Sequence, residues 1–562
     1  MTPETKPFDT ALGLIDDLRK IIDQGLTRLK MRCSPNGTID PLLLDANQQC
    51  SYEIAFAVAE LEAARSMVNY TRKVWDEDVS SAEDLCVPVA LGFCAESLRT
   101  AWQRLLNHAI DLELDAGELH QFMQTKACAS FLANYAGVSH LEAIGAQLLE
   151  HGVGLRLPSG LGEEKDLVQA SFARFTEDVV MPQAEHIHRN DTDIPDELID
   201  AAAQMGCFGS CIPERFGGLM PDDRNDSLGM LVVTEELSRG SLGAAGSLIT
   251  RPEIAARALL QGGTEAQKES YLPRLASGEL LAAISITEPD YGSDVASLSL
   301  RARRNDRGWV LNGAKTWCTF AGKADVVVVI ARTDPDRSKG HRGLSMFLVD
   351  KPRFAGHAFT HNSQLGGTLT GNAIATIGYR GMHSFDLAFE DFVIPHEALV
   401  GGADGEGRGF YLTMAGLSGG RIQTAARASG VMQAALDKAL SYALDRKVFG
   451  SAVGDYQLTK VKLVRMLAAL NASRQFSYSV ARLMDADEGQ GKMEASLVKL
   501  YACRAAEWVT REALQIHGGM GYAEETSVSR YFVDARVLSI FEGAEETLAL
   551  KVIARELIAS AT

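Results

Sequence analysis

A chain of 562 residues, 46% hydrophobic and 23% charged, has the length for three or four packed units and the composition of an ordinary globular protein. Its net charge of −18 argues against a nucleic-acid partner and against electrostatic docking on an anionic membrane. Nine cysteines without paired spacing read as free thiols of a reducing, cytoplasmic setting, and no apolar run is long enough for membrane insertion.

The opening "MTPETKPFDTALGLIDDLRK" is acidic and amphipathic, unlike a signal peptide. Leu14, Leu18, Ile21 and Ile22 mark one helical face. "YEIAFAVAELEAARSMVNYTRKVW" and "ALGFCAESLRTAWQRLLNHAIDLEL" repeat the same three-and-four spacing, so residues 1–155 read as a helical N-terminal extension. "RLPSGLGEEKD", residues 156–166, collects Pro, Gly and charge and reads as a linker. Residues 167–280 return to helical periodicity, interrupted at "MGCFGSCIPERFGG". Cys207 and Cys211 within it lack the further ligands a zinc site needs, and no metal is expected.

From 281 to 400 the period changes. "GWVLNGAKTWCTFAGKADVVVVIARTD", "GLSMFLVD" and "HSFDLAFEDFVIP" carry strand-forming runs, with Phe385, Leu387 and Phe389 alternating as in a half-buried strand. Residues 401–562 are helical again. The fold class is therefore mainly α with a central β domain. The order is not βαβ, and "GEGRGF", residues 405–410, lacks the dinucleotide-binding spacing and reads as a turn.

Several segments carry groups suited to a polar, flat ligand. "ISITEPDYGSD", residues 284–294, offers Thr287, Ser293 and backbone donors at the helical-to-β boundary. Trp317 and Thr319 on a predicted strand pair an indole face with a hydroxyl. "YALDRKVFGSAVGDYQ" brings Arg446, a fixed fork for phosphate, with Phe449 and Gln457 at a bend between helices. In "QIHGGMGY", Gly518 and Gly519 follow a helix, where they can cap it or admit a ligand to the backbone. Glu542, in "SIFEGAEET", sits on the rim of an apolar run just before a glycine. Taken alone, each segment has an ordinary structural explanation: a capped loop, a core tryptophan, a helix-start acid.

Together, and in this order, "ITEPDYGSD", "LNGAKTWCTFAGKAD", "DRKVFG" with Gln457, "QIHGGMGY" and "IFEGAEET" resemble the acyl-CoA dehydrogenase family over residues 167–560. The resemblance implies a helical domain, a β barrel-like domain and a C-terminal four-helix bundle, here preceded by an extra helical domain. It implies FAD, an acyl-CoA substrate, electron-transfer flavoprotein as electron acceptor, and a homodimer or homotetramer. By match to the motifs, Thr287 and Ser293 belong to the flavin and substrate loop, Trp317 packs against the flavin, and Thr319 bonds its reactive edge. Arg446, Phe449, Gln457, Gly518 and Gly519 match positions that hold the adenosine diphosphate part. Glu542 matches the base that takes the α-proton, with its N–H helping to bind the developing enolate oxygen.

Departures bear on the substrate. Some relatives place the base just before an arginine in the first helix of the C-terminal domain; that position here is Gly420, which has no side chain to accept a proton. The usual "LDxGR" is "LSGGR", leaving Ser418 and Arg421 as substrate contacts, and Ala544 stands where Thr is usual. A helical extension on an ordinary-length core resembles the branch acting on a short, branched dicarboxylic acyl-CoA. A free carboxylate needs a cationic partner, and Arg251 in "GSLITRPEIAARALL" is the candidate. The glutaryl branch's arginine is missing from "RGSLGAAG". A monocarboxylic acyl-CoA dehydrogenase, an oxygen-reducing acyl-CoA oxidase and a catalytically silent scaffold are the competing readings.

Overall fold

The computed structural model describes residues 6–76, 83–487 and 491–562. It contains two compact units, Met1–Val168 with Thr424–Thr562, and Gln169–Gln423.

The first unit is helical. Helices α1 (Lys6–Cys33), α2 (Pro41–Ala46), α3 (Gln48–Asp76), α4 (Glu83–Asn107), α5 (Ala116–Gln124), α6 (Lys126–Tyr135) and α7 (Val138–His151) form the extension. The stripe Leu14, Leu18, Ile21 and Ile22 is buried, as the spacing requires. Helices α15 (Gln457–Ala486) and α16 (Lys492–Ile516) pack against α3. Gly145 lets α7 approach α15 closely, since a Cβ there would lie 2.6 Å from Lys460 Cβ. Polar pairs stitch the same contact: Arg465 to Glu96, Gln475 to the Ser159 carbonyl at 3.0 Å, and Gln457 to Glu142 at 2.9 Å. The extension is thus built into the core of this unit.

In the second unit α8 (Glu163–Phe175) begins within the stretch read as linker, and most of it lies in this unit. Glu163, Glu164 and Asp166 fill its first turn, where negative charge suits the helix dipole. Helices α9 (Met181–Asn190) to α13 (Glu265–Ala276) follow, including α11 (Ser227–Gly240) and α12 (Thr250–Gly262), with short 3₁₀ turns at the "GCFGSCIPERF" interruption. The strands that follow are β1 (Ala282–Ser285), β2 (Arg301–Asn305), β3 (Gly308–Thr319), β4 (Val326–Arg332), β5 (Leu344–Asp350), β6 (Ala358–Asn362), β7 (Thr368–Ala373) and β8 (Ser384–Ile394). They form an eight-stranded sheet in the order β1-β4-β2-β3-β8-β7-β6, with β5 on β4. Phe385, Leu387 and Phe389 of β8 point into a core with Trp309, Leu311 and Phe347.

Helix α14, Gly409–Asp445, opens the C-terminal helical part, which continues through α15 and α16 to α17 (Gly519–Tyr522), α18 (Ser527–Leu538), α19 (Glu545–Thr547) and α20 (Arg555–Ser560). All nine cysteines are buried and none forms a disulfide. Among the described residues no helix is long and apolar enough to cross a membrane.

Candidate active site

Strand β3 carries Trp317 and Thr319, and its register against β8 shifts between Lys315 and Cys318. One extra residue is inserted there, so the strand bulges and its side chains are re-aimed. Trp317 takes a φ of 57° and leaves its indole 55% exposed, whereas its neighbours Cys318 and Thr319 are buried. A bulky residue in the left-handed region persists only where its surroundings enforce it, and such positions concentrate at functional sites. Thr319 Oγ1 lies 2.9 Å from Ser384 Oγ, which fixes the hydroxyl on the same edge.

The loop after β1 is fastened to this bulge. Thr316 N–H donates to the Thr287 carbonyl at 2.9 Å. Lys315, fully buried, donates to Glu288 Oε1 at 2.9 Å and to the Ile286 carbonyl at 2.7 Å. Glu288 also accepts from the N–H groups of Ser299 and Leu300 and from the Ser299 hydroxyl. Burial alone would push the Glu288 carboxyl up, but Lys315 and these donors hold it below its ordinary value; burial in turn pulls the Lys315 ammonium down. The pair spans both motifs of the half-site, yet neither residue was singled out in the sequence. Ser293 is exposed on the same loop.

Arg251 lies in the first turn of α12, only 6% exposed, with Nη2 3.4 Å from Tyr379 Oη. Beside it, Thr250 donates to Gln423 Oε1 at 2.7 Å, joining this turn to the "GGRIQ" segment of α14 that carries Arg421. The side chain of Ser418 lies outside the described residues. Gly419 sits against the buried Glu253, which is paired with Arg257; a Cβ at 419 would fall 2.2 Å from Glu253 Oε1.

In the helical unit, Arg446 lines a cavity of about 320 Å³ with Lys438, Ser441, Tyr442, Asp445 and His517. His517 stacks on Tyr442 at 4.3 Å between centroids and donates through Nδ1 to the Ala513 carbonyl, 2.7 Å away. Gly518 follows with φ 57°, and a Cβ on Gly518 or Gly519 would meet nothing within 4 Å. Two cations, a stacked ring pair and open backbone form a donor set that fits a nucleotide diphosphate. Phe449 is 99% exposed with φ 50°. Gln457 is exposed, and its amide is already engaged by Glu142 of the extension.

Glu542 follows α18 in a short loop and has a φ of 54°, with Gly543 at 98°. Lys499 of α16, 1% exposed, donates to the carbonyls on both sides of it, Phe541 at 2.7 Å and Gly543. Arg427 lies over the Phe541 ring, 4.8 Å from its centroid. Glu545 N–H donates to the Ser539 carbonyl at 3.0 Å and closes the loop. Nothing in the local spacing pointed to Lys499, because its partners are more than forty residues away in the chain.

Matches to known proteins agree with this organisation. The chain matches the acyl-CoA dehydrogenase N-terminal domain over residues 162–279, the middle domain over 283–392 and the C-terminal domain over 407–558. It is 36% identical to (2S)-methylsuccinyl-CoA dehydrogenase of Cereibacter sphaeroides, over 98% of this chain and 97% of that protein. It is 35% identical to the mitochondrial isovaleryl-CoA dehydrogenase of Arabidopsis thaliana, over 69% and 89%. Among solved structures, butyryl-CoA dehydrogenase from Megasphaera elsdenii superimposes with a TM-score of 0.63 at 32% identity, covering 70% of this chain and 97% of that one. A glutaryl-CoA dehydrogenase from Mycobacterium smegmatis, in complex with FADH2, gives 0.62 at 27%, covering 72% and 96%. The chain belongs to the acyl-CoA dehydrogenase family and is an FAD-dependent oxidoreductase with an added N-terminal helical region.

Proposed function

We propose that the protein oxidises (2S)-methylsuccinyl-CoA to mesaconyl-CoA, with Glu542 as the base and electron-transfer flavoprotein as the electron acceptor. The observation that carries the substrate assignment is the likeness to (2S)-methylsuccinyl-CoA dehydrogenase over 98% of the chain, which includes the helical extension. Glu542 takes the α-proton of the thioester, and the electron pair of that C–H bond becomes part of the new double bond. FAD, when bound, supplies the two-electron acceptor for the hydrogen leaving the β-carbon. Thr287, Ser293, Trp317 and Thr319 hold the flavin end. Arg446, Phe449, Gln457, Gly518 and Gly519 hold the adenosine diphosphate end. Ser293, Ser418 and Arg421 contact the thioester, and Arg251 faces the free carboxylate, whose charge requires a fixed cation once water is excluded.

A homodimer or homotetramer working in the cytoplasm is part of the same reading. Anaerobic titration of the purified flavoprotein with methylsuccinyl-, succinyl-, glutaryl-, butyryl-, isobutyryl-, isovaleryl- and palmitoyl-CoA tests it. Rapid bleaching of the flavin band by the (2S)-methylsuccinyl thioester above all others is expected. Preferential bleaching by a monocarboxylic thioester would overturn the substrate while leaving the family intact. Peroxide formation in air at the rate of turnover would replace electron-transfer flavoprotein by oxygen.

A further inference from the structure

Helix α3 of the extension carries Tyr52 and Phe56 one helical turn apart, with ring centroids separated by 4.9 Å. Arg504 of α16 lies over Phe56, 5.2 Å from the ring centroid. Arg104 of α4 lies 5.1 Å from the same centroid and is itself held by Glu53 and Glu60. The Phe56 ring is therefore a platform for two guanidinium groups.

From that platform Arg504 donates through Nε to Glu545 Oε2 at 2.9 Å and through Nη2 to Tyr52 Oη at 2.8 Å. The Tyr52 hydroxyl donates in turn to Glu545 Oε1 at 2.6 Å. Tyrosine, arginine and carboxylate close a triangle in which every contact is charge-assisted or short. Glu545 is the residue whose N–H closes the 539–545 loop on the Ser539 carbonyl. Glu542 lies three residues earlier, in its left-handed conformation.

We infer that Tyr52, a residue of the N-terminal extension, is a positioning residue for the reaction: by holding Glu545 it fixes the far end of the loop that carries Glu542. The inference rests on the reading of Glu542 as base. A strained backbone position stays populated only when its surroundings over-determine it. Lys499 secures the carbonyls flanking Glu542, and the Tyr52–Arg504–Glu545 triangle secures the loop's exit. Neither fastening alone fixes both ends. Burial by itself would raise the Glu545 carboxyl, but Arg504 and Tyr52 hold it below its ordinary value, so it accepts as a carboxylate. The extension then acts on the chemistry through one hydroxyl.

The test uses the full-length, FAD-loaded protein with Tyr52→Phe, which keeps the ring on Phe56, and with Glu545→Gln. Hydrogen–deuterium exchange over residues 539–545 needs no turnover, and it decides whether Tyr52 holds the loop. Anaerobic flavin bleaching by (2S)-methylsuccinyl-CoA, with butyryl-CoA in parallel, decides whether that hold matters to the base. Exchange should rise about tenfold in both variants, and the bleaching rate at saturation should fall about 10- to 100-fold, the scale of an ångström-sized misplacement. The half-saturating thioester concentration should move less than about twofold, and the double variant should be no slower than the slower single one, because the two residues act as one unit. Unchanged exchange, or raised exchange with an unchanged bleaching rate, would overturn the inference. Glu542→Gln in the same assay separates the two claims: wild-type bleaching there would sink the base assignment, whatever the exchange shows at Tyr52.

Discussion

Lys499 places its ammonium 2.7 Å from the carbonyl oxygen of Phe541, deep in a helical core where a charge has no water. The buried ammonium donates hydrogen bonds to this oxygen and to that of Gly543, which stand in for the water it lacks. The consequence is local order: the carbonyls of the residues before and after Glu542 are held by one side chain. Lys499→Met keeps the length and apolar stem but leaves these acceptors unsatisfied. We expect a loss of about 2–6 kcal/mol in urea unfolding, from one to three for each of the two stranded acceptors. We also expect slower flavin reduction. A variant of wild-type stability and rate would show that the clamp is idle.

The Glu288–Lys315 pair makes a prediction for the β half of the site. Removing the carboxylate by Glu288→Ala strands a buried ammonium and should cost about 3–5 kcal/mol at neutral pH. The pH dependence follows from the direction of the shift. Because the folded Glu288 carboxyl sits below its ordinary value, its contribution is fully present above the unfolded value of about 4.3 and fades as the pH falls through the lower, folded value. Urea midpoints taken from pH 7 down to 3 should therefore show the wild-type advantage over the alanine variant shrinking only below about pH 4.3. An advantage that shrinks between pH 7 and 5 would contradict the assignment.

Arg446 should govern cofactor retention. Losing one charged hydrogen-bonding partner is worth about 1.5–3 kcal/mol, so Arg446→Ala should weaken FAD binding by about 10- to 100-fold. Lysine should restore part of it, lacking the fork but keeping the charge. Equilibrium dialysis of flavin from the variants measures this, and an unchanged dissociation constant would remove Arg446 from the cofactor site.

Arg251 is tested by discrimination. Arg251→Leu should reduce kcat/KM for methylsuccinyl-CoA relative to butyryl-CoA by about 10- to 100-fold, the weight of a charged contact. Equal losses on both thioesters would mean that Arg251 serves packing, through neighbours such as Tyr379, rather than the substrate carboxylate.

What the sequence disclosed divides by distance along the chain. Trp317 and Glu542 stood out because aromatic and acidic residues occupied recognisable motifs, and both now prove to sit in left-handed backbone. The alternation of Phe385, Leu387 and Phe389 revealed β8, since a strand's burial has a period of two. By contrast, the bulge that turns Trp317 outward depends on the register with β8, some seventy residues later. Lys499, Tyr52 and the Glu288–Lys315 pair depend on tertiary contacts spanning 27 to 493 residues, which no local period encodes. The motif marks Gln457 as a cofactor contact but carries no sign that its amide donates to Glu142, a partner supplied by the extension more than three hundred residues earlier.

The proposed reaction turns on Glu542 removing the α-proton. Glu542→Gln preserves shape and hydrogen bonding while abolishing the basic oxygen, so the decisive measurement is the anaerobic rate of flavin reduction by (2S)-methylsuccinyl-CoA in the FAD-loaded variant. A base contributes about 10²- to 10⁴-fold, so a fall of that size is expected with FAD still bound. Reduction within about twofold of the wild-type rate would contradict it and move the base elsewhere.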